Sequence, residues 1–117
     1  MFQDWVTRAT VNLEQAEMHV IVDFTVVPIG VGVSLSEYIA ACERVIQESG
    51  LTYELHPNGT NVEGEWEEVF AAIRRCHEKL HAMGVPRLHT EIKLGTRTDR
   101  QQKMNDKLTS VRKRLNG

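Results

Sequence analysis

The sequence predicts an α+β sandwich, an antiparallel sheet carrying two helices on one face. Two observations predict it. Short stretches in which apolar and polar residues alternate with period two are interleaved with longer stretches in which apolar residues recur at helical spacing. Glycine, proline and asparagine punctuate these stretches so that their order reads β-α-β-β-α-β, followed by one more helix.

Each element follows from its own pattern. From His19 to Val27, Val20, Val22, Phe24 and Val26 face one way and Ile21, Asp23, Thr25 and Val27 the other, with Pro28 and Gly30 expected to end the strand. Ser34 or Ser36 is expected to cap a helix with Leu35, Ile39, Cys42 and Ile46 on one stripe, and Gly50 to stop it. Thr52–His56 and Thr60–Glu63, joined by Pro57-Asn58-Gly59, read as a hairpin. A second helix starts near Glu65, carries Val69, Ile73, Cys76 and Leu80, and closes at Gly84. In Pro86–Leu94 the residues Leu88, Thr90, Ile92 and Leu94 share a face opposite Arg87, His89, Glu91 and Lys93. The last helix, roughly Asp99–Leu115, has Met104, Leu108, Val111 and Leu115 as its stripe. Two right-handed split β-α-β crossovers in this order generate a ferredoxin-like topology, strand order 4-1-3-2. The sheet face away from the helices then shows Asp23, Thr25, Glu54, His56, His89, Glu91 and Lys93.

Ahead of the first strand, Phe2, Trp5, Val6, Ala9, Leu13 and Ala16 stand near helical spacing. Residues 1–17 read as an N-terminal amphipathic helix lying on its own domain or a neighbouring subunit, or as an extension ahead of a start at Met18. Residues 18–117 form the domain proper.

Composition narrows the function classes. A chain of 117 residues supports one packed core. Fourteen basic against sixteen acidic side chains give a net charge of −2, which argues against a nucleic-acid binder. No apolar run is long enough for a membrane span, and the first residues lack a signal-peptide pattern, so a cytoplasmic location is expected. Two cysteines make no disulfide framework, and Cys42 and Cys76 fall inside apolar stripes as small buried hydrophobes.

The loudest local motif is His77-Glu78-Lys79-Leu80-His81, which satisfies the H-E-x-x-H zinc-hydrolase pattern. Gly84 also fits the longer form of that motif, but Arg87 stands where a third ligand belongs and, being always cationic, does not coordinate zinc. The preferred reading is a helix C-terminus whose histidines suit the dipole, with no metal and no cofactor. An RNA-recognition sheet is also disfavoured, because Thr60-Asn61-Val62-Glu63 offers no aromatic residue for base stacking. Gly30 and Gly32 before a helix are a weak anion motif.

Several segments together resemble one family. They are Val26-Val27-Pro28-Ile29-Gly30 with Ser34-Leu35-Ser36-Glu37-Tyr38; Tyr53-Glu54-Leu55-His56 with Gly59-Thr60; Glu63-Gly64-Glu65-Trp66; His77-Glu78 with Gly84; and Arg87-Leu88-His89-Thr90-Glu91-Ile92-Lys93 with Gly95-Thr96-Arg97-Thr98-Asp99. In order and spacing these resemble the small thiamine-binding (YkoF-like) family over about residues 18–115. The resemblance implies a ferredoxin-like fold with an added C-terminal helix and assembly as homodimers or dimers of dimers. It also implies, for some members, binding of thiamine or its hydroxymethylpyrimidine precursor.

The expectation is therefore a non-enzymatic binding protein for thiamine or a related pyrimidine, built at or near subunit contacts. Recognition of an aminopyrimidine needs a donor–acceptor pair at the ring edge, an apolar wall and a carboxylate to accept from the amino group. The residues expected to supply these are Ser34, Ser36, Thr60, Glu63, Asp23, Thr25, His89 and Lys93, with Glu63 as the acceptor. Asp23 and Lys93 also read as a cross-strand ion pair, Ser34 or Ser36 as a helix cap, and Thr60 and Glu63 as supports of the hairpin and second helix. The alternative function is a structural or regulatory oligomerisation module without a small ligand.

Overall fold

The computed structural model describes residues 17–117, so all but the last residue of the N-terminal segment read above over residues 1–17 lies outside them. The elements are β1 (His19–Ile29), α1 (Ser36–Ser49), β2 (Thr52–His56), β3 (Gly59–Glu65), α2 (Trp66–Ala82), β4 (Arg87–Gly95) and α3 (Met104–Asn116). The sheet order is β2-β3-β1-β4 with every neighbour antiparallel, which is the expected ferredoxin-like α+β architecture with an added C-terminal helix.

The alternation of β1 sets the core. Val20, Val22, Phe24 and Val26 are buried beneath Ala41, Cys42 and Ile46 of α1 and Val69, Ala72, Ile73, Cys76 and Leu80 of α2. Each fully buried aliphatic side chain of this kind contributes roughly 1.5–3 kcal/mol. α2 ends as expected: Gly84 takes a positive φ of 93°, and the Val85 amide donates to the Leu80 carbonyl at 3.1 Å.

Three details differ from expectation. β1 runs through Pro28 to Ile29 rather than ending there. Beyond Phe24 it pairs only with β4, so on its other side a proline nitrogen forfeits no ladder bond. Neither Ser34 nor Ser36 caps α1; Leu35 holds the cap position with no side-chain bond, and its side chain is half-buried. α3 starts five residues later than Asp99, because Asp99 pairs with Arg97 and holds the connection in a loop. That pairing pulls the Asp99 carboxyl down to about 2. The helix begins where the Asp106 carboxylate accepts from the Lys103 amide at 2.9 Å.

α3 lies across the sheet face opposite α1 and α2, where Met104 and Leu108 stand beside Ile21, Asp23 and Lys93. Among the described residues nothing covers the C-terminal part of its apolar stripe, where Val111 is 57% and Leu115 78% exposed.

At the hairpin tip, Gly59 packs directly against β1. A Cβ there would sit 2.7 Å from Thr25 Oγ1 and 2.9 Å from the Phe24 carbonyl oxygen. Gly59→Ala is therefore expected to cost about 1–3 kcal/mol, measured as a lower urea midpoint with an unchanged slope; an unaltered midpoint would show that the tip can move aside freely.

Candidate functional site

β3 stops pairing with β1 at Phe24–Thr60, yet β1 continues to Ile29. The missing stretch of neighbour leaves a notch between the free edge of β1, the hairpin tip and the first half of α1. A cavity of about 640 Å³ occupies it. Leu35, Ile39 and Cys42 come from α1, Phe24 and Val26 from β1, and Leu55 from β2, so most of the wall is apolar. The main chain of Thr25–Val27 borders the cavity with no strand on that side, and offers alternate N–H and C=O groups.

One carboxylate sits in this wall. Glu43, on α1, accepts a hydrogen bond from the Thr60 hydroxyl through Oε1. Its Oε2 is shut off from solvent and has no hydrogen-bond partner. An acceptor left unsatisfied in this way costs about 1–3 kcal/mol and calls for a donor.

The rim of the cavity is fixed by a short polar network. The Asn58 amide donates to His56 Nδ1 at 3.3 Å, so the proton sits on Nε2, which donates to Asp23 Oδ1 at 2.9 Å. The Thr25 hydroxyl donates to the Asn58 carbonyl at 2.7 Å. These bonds tie the hairpin tip to β1 and hold the mouth of the cavity in one shape.

The structure separates the residues expected to form the site. Thr25 and Thr60 line the cavity, and Asp23 supports its rim through His56. Ser34 and Ser36 are exposed at the start of α1 and do not line it. Glu63 is on the other face of the sheet, one residue of strand period away from Thr60 and Val62, and is buried there. Its Oε2 accepts from the Met104 amide at 2.9 Å and lies 3.1 Å from His19 Nε2, so it clips the start of α3. His89 is 64% exposed, its nearest acidic partner being Glu91 at 3.8 Å. Lys93 is opposite Asp23 in register, but the Asp23 carboxylate takes His56 as its partner. Glu43 escaped the sequence reading. Its signal is its place at i, i+4, i+8 after Leu35 and Ile39, an acid in an otherwise apolar row facing inward.

The H-E-x-x-H residues do other work. His77 Nε2 lies 2.6 Å from the Thr90 hydroxyl, and His81 Nδ1 donates to the Val85 carbonyl at 2.8 Å. Among the described residues no group of three or more potential ligands gathers to hold a metal. Burial, then the neighbouring His81, holds His77 below the ordinary histidine value. The unfolded chain therefore binds that proton more readily, and this site disfavours the folded state as pH falls below the ordinary histidine value. Cys42 and Cys76 are both buried, as their positions predicted. Cys76 donates to the Cys42 carbonyl at 3.7 Å, and its hydrogen bonding to Cys42 together with burial pushes its pKa up, keeping it a thiol.

Fold and cavity together define a small ferredoxin-like domain with a ligand-sized hollow on its helical side. The chain belongs to the thiamine-binding protein family, which it matches over residues 22–112. A UPF0045 protein of Synechocystis is 55% identical over 94 residues, 80% of this chain and 78% of its own length. A solved structure of the protein MJ1052 from Methanocaldococcus jannaschii superposes with a TM-score of 0.73 at 26% identity, covering 80% of this chain and 95% of that one. A candidate thiamine biosynthesis/salvage protein from Thermotoga maritima superposes with a TM-score of 0.68 at 25% identity, covering 80% and 98%. No helix among the described residues is long and apolar enough to cross a membrane.

The clip formed by Glu63 is testable apart from any ligand. Glu63→Ala removes the acceptor for the Met104 amide, and is expected to cost about 1–3 kcal/mol and to speed hydrogen exchange throughout α3. Unchanged exchange over residues 104–116 would show that α3 holds its place without it.

Proposed function

We propose that the cavity binds thiamine or its hydroxymethylpyrimidine precursor without transforming it. The observation that carries this reading is the Glu43 carboxylate, one oxygen held by Thr60 and the other buried without a donor. An aminopyrimidine brings an exocyclic amino group to satisfy such an oxygen, with a small turn of the Glu43 side chain to meet it. The ring edge carries alternating donors and acceptors, which suit the main-chain groups that Thr25–Val27 present on the edge away from β4. The ring faces suit the apolar walls of Leu35, Ile39 and Leu55. At about 640 Å³ the cavity is of a size with ordinary small-ligand sites. The family description and the likeness to the Thermotoga protein support the same ligand class. Binding is favoured over catalysis because His56, the one imidazole in the wall, has both nitrogens committed to the rim.

The proposal includes assembly with further copies of the chain. The uncovered stripe of Leu108, Val111 and Leu115 on α3, and the half-exposed Ile92 and Leu94 on edge strand β4, leave apolar surface that a second copy would bury.

Two measurements test these statements. Titration calorimetry on protein freed of carried-over ligand should show saturable heat with thiamine or the hydroxymethylpyrimidine. Glu43→Gln should weaken that binding about tenfold to a hundredfold, the loss of a charge-assisted bond. Absence of heat with both compounds would leave the oligomerisation module as the function. Light scattering at micromolar concentration should give a mass at least twice the 13.3 kDa of one chain; a monomer would remove the assembly half of the proposal.

A further inference from the structure

We infer that this cavity selects its ligand by charge, taking the unphosphorylated base, cationic or neutral, and rejecting its phosphate esters. The inference rests on the reading of the cavity above and narrows its ligand class. It comes from the charges that line the wall and from where the chain keeps its cations.

Among the described residues, Glu43 is the one formally charged side chain lining the cavity, and no lysine or arginine lines it. The other titratable side chain besides the Cys42 thiol is His56. Its Nδ1 accepts from Asn58 and its Nε2–H is given to Asp23, so neither ring nitrogen is left to donate to an anion. The mouth lies beside the first turn of α1, whose amide dipole would welcome an anion, but Glu37 in that turn opposes it. A phosphate monoester carries nearly two negative charges and is held in proteins by arginine, lysine or converging amides. Here it would meet a carboxylate in a largely apolar wall, where like charges repel more strongly than in water. A thiazolium cation meets the opposite sign.

The basic residues stand elsewhere. Lys93 and Lys107 line a shallow hollow on the opposite face of the sheet, and Arg97 and Arg100 line another beside it. Arg97 is already engaged by Asp99 and Gln102. A ligand seated against Glu43 has the sheet between it and these cations. The separation follows from strand alternation: Lys93 points to the face of Asp23 and Glu63, whereas Glu43 approaches Thr60 from the helical face.

The test is titration calorimetry of the wild-type chain with three probes: thiamine, thiamine monophosphate and O-acetylthiamine, whose acetyl group adds bulk at the same oxygen but no negative charge. The expected result is binding of the monophosphate at least about tenfold weaker than thiamine, with the acetyl ester within about threefold of thiamine. A monophosphate that binds less than tenfold weaker, or more tightly, overturns the inference. An acetyl ester as weak as the monophosphate also overturns it, because size and not charge would then be the filter. A variant adds a second check. Ile39 is 43% exposed at the lip of the cavity and one helical turn before Glu43, so Ile39→Lys places a cation beside the carboxylate with little effect on the core. It should narrow the gap between thiamine and its monophosphate to about threefold or less; an unchanged gap counts against charge selection. If none of the three probes binds the wild type, the reading of the cavity itself falls, and this inference with it.

Discussion

The close approach of Gly59 to β1 is the contact on which the rest of the site depends. With no side chain at this position, the hairpin tip lies within van der Waals reach of the Phe24 carbonyl and the Thr25 hydroxyl. Asn58 can then accept from Thr25 and donate to His56, which in turn reaches Asp23. The hairpin ends there, part-way along β1, and cannot continue as a strand. Everything that defines the cavity follows from this stop: a strand edge without a neighbour among the described residues, an apolar wall from the first half of α1, and a threonine at the last paired position facing a glutamate from above.

Strand period then sorts the acidic residues into different work. Within β3, Thr60 and Val62 face the helices while Asn61 and Glu63 face α3. Glu63 meets a His19 ring nitrogen and the Met104 helix amide through the single oxygen Oε2, which makes it a structural clip, and neither of its oxygens is buried alone. Glu43 is satisfied once, at Oε1, and its other oxygen is buried alone. Two buried carboxylates of the same chemistry are thus told apart by their unused hydrogen-bonding capacity. That difference, rather than residue type, makes one a support and leaves the other with an acceptor for which the described residues supply no donor.

The sheet, both core helices and the strand order were legible in the sequence because they rest on periodicity. The alternation of Val20, Val22, Phe24 and Val26 and the spacing of Val69, Ile73, Cys76 and Leu80 each describe a face buried for its own sake. Less could be read where an outcome depended on a partner distant in sequence. The run of β1 through Pro28 depends on where β3 stops pairing, 31 residues or more further along, and the late start of α3 depends on Glu63 reaching Met104 across 41 residues. Thr25 and Thr60 line the cavity, Thr60 from the helical face and Thr25 because β1 has a free edge there, which alternation alone does not reveal. Glu43 was missed because a charged residue in a helix ordinarily faces water, and only the hairpin laid against α1 turns this one inward.

The same geometry explains why such a carboxylate persists in so small a domain. A buried acceptor without a donor lowers stability by an amount comparable to a sizeable share of what a chain of this length retains on folding. A hydrophobic side chain in its place would extend the apolar row of Leu35 and Ile39 and remove that cost. The fold meets the cost partly through Thr60, whose hydroxyl engages one oxygen and fixes the direction of the other. A donor arriving through the cavity would supply the remainder and stabilise the folded state by mass action. On the proposed reading, ligand affinity and the residual instability of the unliganded domain would share one origin, the unsatisfied oxygen of Glu43, which a small turn of the side chain would bring to the notch left by the short hairpin.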